Sequence, residues 1–366
     1  MKKEFFFIAG GKTGGHIFPG ISIAQSLISL QSNLQPLFIG VKNGLEAELV
    51  PKNGFPVLFL PAYGFFGVSV KAKLKAIFFL PFCFFKAFWY IFRYQPKVVI
   101  GVGGFASFPM LLTAAICFFP TAIQEQNVVL GKANQILARW MRKIYLPLLP
   151  PHFPFSKKVK VVGNPIRREI HLLSTQKEEK RNAARSAFQF QIFIFGGSQG
   201  ASFINECFLK AYPELILKIP NLFILHQTGK RDFERVKNFY EQKKAPAQVQ
   251  IFVEDMASAY QKSHLILSRS GAGIYECNAA GRVGIYIPIR ISSGDHQKKN
   301  ALYQEEKNAG WCLEEKDASP QALQERILKF YTNPKLQKMM EENSRNLYLG
   351  DAALEIAKDV QRSFLM

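Results

Sequence analysis

The chain has 366 residues, 48% of them hydrophobic, more than one ordinary core holds and apolar enough to bury two, so disorder is excluded as its main state. Five cysteines (Cys83, Cys117, Cys207, Cys277, Cys312) stand far apart with no CxxC pair, which argues against a disulfide framework or a zinc site and fits a reducing cytoplasm. The net charge of +20 is uneven: residues 1–163 carry 18 basic and 4 acidic groups against 29 and 23 in residues 164–366, and they hold 22 of the 34 phenylalanines.

Residues 5–9 form a short apolar run that reads as a strand and is too short for the apolar region of a secretory signal; no cleavable signal is expected. The run leads into Gly10-Gly11-Lys12-Thr13-Gly14-Gly15-His16 and then a helix-compatible stretch over 17–30. Between Glu48 and Glu125 no carboxylate occurs, whereas seven basic residues do, Lys71, Lys73, Lys75 and Lys86 among them. Within this span residues 76–92 resemble a membrane segment but fall short of the ~20 residues that spanning needs, and Pro81 and Lys86 interrupt them. A surface-lying amphipathic element is expected, and a core helix followed by a strand-like aromatic run fits equally well. The charge itself admits nucleic acid, an anionic membrane or phosphate-bearing small molecules, and the neighbouring aromatic residues favour the membrane.

Residues 98–102 lead into Gly103-Gly104-Phe105. A proline-rich stretch (Pro147, Pro150, Pro151, Pro154) then precedes Gly163-Asn164-Pro165, where a domain boundary is expected. Residues 191–195 run into Gly196-Gly197-Ser198-Gln199-Gly200 and a helix over 201–212. Strand, glycine turn, helix, found twice, predicts two similar parallel α/β domains that bind ligands at the carboxyl ends of their strands. Further on, a strand-like run over 265–267 precedes Arg269-Ser270-Gly271-Ala272-Gly273, with Glu276 about two turns in, and a strand over 285–289 precedes Asp295-His296-Gln297 and Asn300. Residues 321–342 read as helical and charged, and 351–364 as a closing helix.

Glycine turns let the backbone approach an anion, and the N-H groups and dipole of the following helix stabilise its charge. Neither turn has Walker spacing or reads as Gly-x-Gly-x-x-Gly with an acid about 20 residues on, which argues against a nicotinamide oxidoreductase. Taken alone, each turn is equally compatible with a tight connection that binds nothing. Glu276 fits either the chelation of a ribose diol or the stabilisation of its own helix dipole, the latter being favoured without context, and the cluster at Asp295 fits an ordinary loop.

Together and in this order, however, the motifs resemble the MurG family, glycosyltransferases that move N-acetylglucosamine from UDP-N-acetylglucosamine onto lipid-linked N-acetylmuramoyl-pentapeptide in peptidoglycan synthesis. The matching blocks span almost the whole chain: Gly10 to Gly20, Gly44-Leu45-Glu46-Ala47-Glu48, Gly103-Gly104-Phe105, Glu125-Gln126-Asn127, Gly163-Asn164-Pro165-Ile166-Arg167, Gly196 to Ala201, Asp255-Met256, Arg269 to Glu276, and Asp295 to Ala301. The resemblance implies a GT-B fold, two Rossmann-like α/β domains with parallel sheets facing across a cleft: an acceptor and membrane domain at 1–163, a donor domain at 164–342, and a C-terminal helix at 343–366 returning to the first. In the implied donor site Glu276 meets the ribose hydroxyls and the Phe252-Val253 backbone the uracil. Arg269, Ser198, Gln199 and the Ala272 and Gly273 amides lie by the diphosphate, Gln297 meets the sugar, and Arg167 sits in the cleft. The lipid acceptor's diphosphate is implied at Thr13, Gly14, Gly15 and His16 and at Gly103, Gly104 and Phe105, with Asn127 nearby.

The implied reaction inverts the sugar and uses no metal and no cofactor, there being no Asp-x-Asp pair. His16 is the candidate general base because its ordinary pKa lies near neutrality, with donation to the acceptor phosphate or simple fixing of the loop as the competing roles and Glu125 as the reserve. Because a lipid-anchored acceptor stays in the bilayer, the resemblance implies a peripheral protein on the cytoplasmic face of the plasma membrane. Phe65, Phe66, Leu74, Ile77, Phe78, Phe82, Phe85 and Trp89 would insert there, with Lys71, Lys73 and Lys75 on anionic headgroups. Other cell-wall enzymes are counted among the partners, nucleic acid is not, and the alternative is a non-catalytic, basic membrane-surface protein that binds nucleotide sugars. Three departures stand out: Lys12 where the family has glycine or nothing, Gln124 in place of its histidine, and a span from Arg269 to Glu276 one residue shorter than the family's.

Overall fold

The structure is a computed structural model that describes residues 3–63, 69–150, 152–177, 185, 189–290 and 295–365, with backbone alone at 70–73. Phe65, Phe66 and the side chains of Lys71 and Lys73 therefore lie outside the described residues. The chain forms two units: Met1–Arg167 with Asp351–Met366, and Arg168–Gly350. The boundaries lie a few residues beyond 163 and 342; Pro334–Asn346 is one uninterrupted helix, so residue 343 falls inside it.

The first unit holds β1 (Glu4–Gly10), β2 (Leu34–Gly40), β3 (Val57–Phe59), β4 (Val99–Gly103), β5 (Thr121–Gln124), β6 (Lys143–Leu146) and β7 (Val159–Val161), in the order β3-β2-β1-β4-β5-β6-β7 with every pair parallel. The sheet is covered on both faces, which is why β1 is a continuous apolar run rather than an alternating one. Phe6 and Ile8 face a core shared with Ile17, Ile21, Ile356 and Val360, while Phe7 and Ala9 face another built on Met110, Leu111 and Ile91. The helix Ala352–Val360 thus belongs to the first unit, where it packs on the helix Gly14–Leu30 and its Asp359 accepts from Tyr145 Oη (2.9 Å) and pairs with Lys143 (3.3 Å).

The second unit repeats the plan with β8 (Phe190–Phe195), β9 (Leu222–Gln227), β10 (Ala247–Gln250), β11 (Leu265–Ser268), β12 (Val283–Tyr286) and β13 (Gly310–Cys312), all parallel, in the order β10-β9-β8-β11-β12-β13. Strand order reverses direction between β1 and β4 and again between β8 and β11. Such switch points open a crevice at the carboxyl ends of the strands, and the glycine turns follow these four strands.

Residues 76–92 correct one expectation. They belong to a single helix, Val70–Tyr94, that runs through both Pro81 and Lys86, and its portion Leu74–Tyr94 is long and apolar enough to cross a bilayer by length and composition. Proline is tolerated here because the carbonyl it leaves without a donor is that of Ile77, on the exposed side where water can serve it. Ala76, Cys83, Ala87, Tyr90 and Ile91 face the core, and most of the bulky groups point outward: Phe78, Phe82, Phe85, Phe88, Trp89 and Phe92 are all about half exposed or more. The large side chains are thus on the outer face, the inverse of an ordinary surface helix.

Candidate active site

In the first unit the turn after β1 is pressed against the turn after β4. Gly11 N donates to Gly103 O (3.2 Å), and a Cβ on Gly104 would lie 2.6 Å from Gly11 O. Gly104 also has φ +87°, so only glycine satisfies both the approach and the left-handed backbone. Thr13 holds the N-cap position of the helix that begins at Gly14 without a side-chain capping bond; its carbonyl takes His16 N and Ile17 N, which leaves the Gly14 and Gly15 N-H groups for an anion. Lys12 takes a left-handed φ of +77°, the conformation for which glycine is ordinarily used, and its ammonium stands 4.5 Å from the Phe105 ring centroid.

His16, half-buried in the first turn of this helix, holds its Nδ1 3.1 Å from Gly11 O and 3.1 Å from Thr13 Oγ1. A carbonyl can only accept, so Nδ1 carries the proton and Nε2 keeps its lone pair. Burial pulls the imidazole below its ordinary pKa, against the opposing influence of Glu125. The ring lies against the second turn: a Cβ on Gly103 would meet Nε2 at 2.9 Å.

Glu125 is buried with both oxygens engaged. Oε1 accepts from Gln126 N (3.0 Å), Asn127 N (3.1 Å) and Asn127 Nδ2 (2.8 Å), and Oε2 from Gly131 N (2.9 Å) and Asn134 Nδ2 (2.8 Å). The carboxylate is a clamp on its own loop that orients Asn127. Gln124 joins Asn164 Oδ1 (2.9 Å), while Gln126 joins Val102 O (2.7 Å) and Gln124 Oε1 (2.6 Å). The glutamine at 124 therefore works as a buried neutral linker. Arg167 lies over the Phe18 ring at 4.2 Å.

In the second unit Gly200 N donates to Gly197 O (3.0 Å), closing a turn with Ser198 and Gln199 at its apex. Gly200 has φ +74°, and a Cβ there would collide with Thr228 O. Ala272 precedes a short helix, Gly273–Ala279, in which Glu276 is a buried residue of the first turn; the shortened span still reaches this helix. Gln297 Oε1 accepts from Ile289 N (3.1 Å). Two expected donor groups are spent on the protein itself: Val253 N donates to Gln227 Oε1 (2.8 Å), and the Arg269 guanidinium is paired with Glu315 (2.7 Å) and bonded to Ile287 O (3.0 Å). Arg269 is accordingly a neutralised tie between strand ends rather than a loose cation.

Sequence reasoning passed over Glu46, Gln227 and Glu315 as individual side chains. Glu46 is 2% exposed and accepts from Lys12 N (2.7 Å) and Val41 N (2.8 Å), tying the first glycine turn to the end of β2. The available signal was its isolation, since no further carboxylate follows Glu48 until Glu125. Among the described residues no three of His, Cys, Asp and Glu group closely enough to hold a metal ion.

Residues 5–146 match the glycosyltransferase family 28 N-terminal domain, and residues 191–360 the family's C-terminal domain. The UDP-N-acetylglucosamine--N-acetylmuramyl-(pentapeptide) pyrophosphoryl-undecaprenol N-acetylglucosamine transferase of Syntrophus aciditrophicus is 38% identical over 93% of this chain and 93% of its own. The protein of the same name from Myxococcus xanthus is 35% identical over 96% and 90%. Among solved structures, Acinetobacter baumannii MurG superposes with a TM-score of 0.79 at 28% identity over 98% of this chain and 99% of that one. The UDP-GlcNAc 2-epimerase of Neisseria meningitidis, at 14% identity and a TM-score of 0.67 over 98% and 100%, shares the fold alone.

Proposed function

The chain belongs to the MurG family of GT-B glycosyltransferases, and we propose that it transfers N-acetylglucosamine from UDP-N-acetylglucosamine to the C4 hydroxyl of a lipid-diphospho-N-acetylmuramoyl-pentapeptide, inverting the sugar. The observation that carries the catalytic part of this reading is His16: its Nδ1 proton is given to Gly11 O, so Nε2 is the basic nitrogen beside the Gly103 turn. In the step itself the acceptor oxygen bonds to C1 of N-acetylglucosamine, its proton passes to Nε2, and the bond from C1 to the β-phosphate oxygen breaks, releasing UDP. Glu125, with every oxygen already accepting, has the role of holding Asn127 rather than that of reserve base.

The leaving diphosphate gains charge as the bond breaks. Because Arg269 is already neutralised by Glu315, the stabilisation is assigned to the backbone N-H groups of Ser198 and Gln199 at the apex of the turn and of Ala272 and Gly273, with the Ser198 and Gln199 side chains beside them. Glu276 takes the ribose hydroxyls and Gln297 the sugar. The acceptor's diphosphate takes the start of the helix at Gly14, with Thr13, Gly15, Gly103 and Gly104 around it. The outward row Phe78, Phe82, Phe85 and Trp89, flanked by Lys75 and Lys86, supports a peripheral seat on an anionic membrane at its cytoplasmic face.

The test is incorporation of labelled N-acetylglucosamine into a lipid-linked muramoyl acceptor, with calorimetric titration of UDP-N-acetylglucosamine into the chain and into Glu276→Ala. Labelled lipid product and a weakened variant are expected. Tight donor binding without product would favour the non-catalytic alternative, and absence of binding would overturn the donor site.

A further inference from the structure

Strand β9 ends in His226-Gln227 and leads into Thr228-Gly229, and the side chains of His226, Gln227 and Thr228 are buried. His226 Nε2 donates to Asn205 Oδ1 (3.1 Å) and its Nδ1 accepts from Tyr240 Oη (3.1 Å), while Asn205 Nδ2 donates to Thr228 O (3.1 Å) and to Asp232 (3.0 Å). The strand end is thus fixed from behind. From it, the Gln227 amide reaches in two directions: Nε2 donates to Gly197 O (3.0 Å), and Oε1 accepts from Val253 N (2.8 Å). Gly197 O also closes the turn that presents Ser198 and Gln199, and Val253 belongs to the segment read as meeting the base.

We propose that Gln227 is a positioning residue that holds the base end and the diphosphate end of the nucleotide site at a fixed separation, an inference that rests on the donor reading above. The orientation of the amide is imposed by its partners, since an N-H only donates and a carbonyl only accepts. Turned over, the amide would face oxygen with oxygen and nitrogen with hydrogen. Of the two amide side chains glutamine alone has this reach, asparagine being one methylene shorter. Glutamate keeps the bond to Val253 N but sets a carboxylate oxygen against Gly197 O, and methionine, of similar length, makes neither bond. A nucleoside diphosphate must engage both ends together, so a site whose ends are tied avoids ordering them when the ligand arrives.

The test titrates uridine and UDP by calorimetry into the whole protein, Gln227→Glu and Gln227→Met. Uridine probes the base end, and UDP both ends. For Gln227→Glu the expectation is uridine affinity within about twofold of the parent and UDP weakened about tenfold, the size of one lost hydrogen bond. For Gln227→Met both ligands weaken, and KM for UDP-N-acetylglucosamine rises while kcat at saturating donor changes less than about threefold. Equal weakening of the two ligands in Gln227→Glu would reduce Gln227 to packing, and tighter uridine binding in Gln227→Met would mean that the amide competes with the base; either result overturns the proposal. If the unaltered protein bound neither ligand, the donor reading would fall, and the inference with it. Hydrogen exchange on the unaltered protein covers poorly folding variants: the Val253 amide, whose acceptor is Gln227 Oε1, should be strongly protected without ligand, and exchange at an open-loop rate would refute the tie.

Discussion

The two units share a strand order and place a glycine turn at the same switch point, yet they anchor those turns with opposite chemistry. In the first, buried carboxylates do it: Glu46 grips the turn at Gly11 and Glu125 the loop that carries Asn127, each oxygen accepting from backbone or amide N-H groups. In the second, the Gln227 amide grips the turn at Gly197 directly, the buried His226 and Asn205 stand behind it, and the carboxylate of Asp232 is held one bond further back. The difference follows the charge. Residues 1–163 carry a large cationic excess, which lowers the cost of burying an anion. In residues 164–366 acids nearly balance bases, and the candidate cation Arg269 is itself cancelled by Glu315. The first half offers the field and the base, and the second offers oriented dipoles.

The largest test of this contrast is chemical. If the proton acceptor belongs to the first unit, His16→Ala lowers kcat by about two to four orders of magnitude and leaves donor binding nearly unchanged, which single-turnover kinetics and calorimetry would check. A loss below about tenfold would end the base assignment. Next comes the anchor. Glu46→Gln preserves shape but turns an NH2 group toward one of two N-H donors, so it should cost about 1.5–3 kcal/mol in urea unfolding and raise KM for the acceptor but not for the donor. It is the counterpart of the glutamate exchange at 227, and the two should impair opposite substrates.

A third test uses pH. Burial and the nearby Arg235 pull His226 from its ordinary 6.5 to about 3 in the folded protein. The unfolded chain therefore binds the proton first as acid is added. The stability owed to neutral His226 is complete above about pH 6.5 and drains away at ~1.4 kcal/mol per pH unit toward 3. The acid slope of unfolding should flatten in His226→Gln, and an unchanged slope would break the link between a neutral anchor and the second unit. The smallest effect is at the surface. Lys75→Ala, on the aromatic helix, should weaken binding to anionic vesicles by about 1 kcal/mol at low salt and not at all at high salt. Equal loss at both would mean that its seat over Tyr63, 4.5 Å from the ring centroid, rather than its charge, is what counts.

Much of this was legible from residue order alone. An apolar run ending in glycine and followed by a helix-compatible stretch marks a parallel strand and its turn wherever it occurs, which is why the turns at Gly10, Gly103 and Gly196 could be read directly. The helix Val70–Tyr94 could not, because Lys86 interrupts an apolar helix only when it faces inward and the cost of Pro81 is offset only by packing, both decided by the core that receives Cys83, Ala87 and Ile91. Glu46 and Gln227 were hidden for a different reason. Each bonds backbone many positions away, 34 residues in the case of Glu46 and Lys12, and a single polar side chain at the end of a strand leaves no periodic trace.

The helix Ala352–Val360 has a further consequence, in the order of synthesis. Ile356, Ala357 and Val360 are fully buried in a core laid down with Phe6, Ile8, Ile17 and Ile21, so the second unit is in effect an insertion between two parts of the first. As the chain leaves the ribosome, residues 168–350 are complete and free to fold while the earlier-made unit still lacks one wall. The half that carries His16 and the outward-facing aromatic row is therefore finished after the other, and it waits with an open apolar seam until Ala352–Val360 arrives.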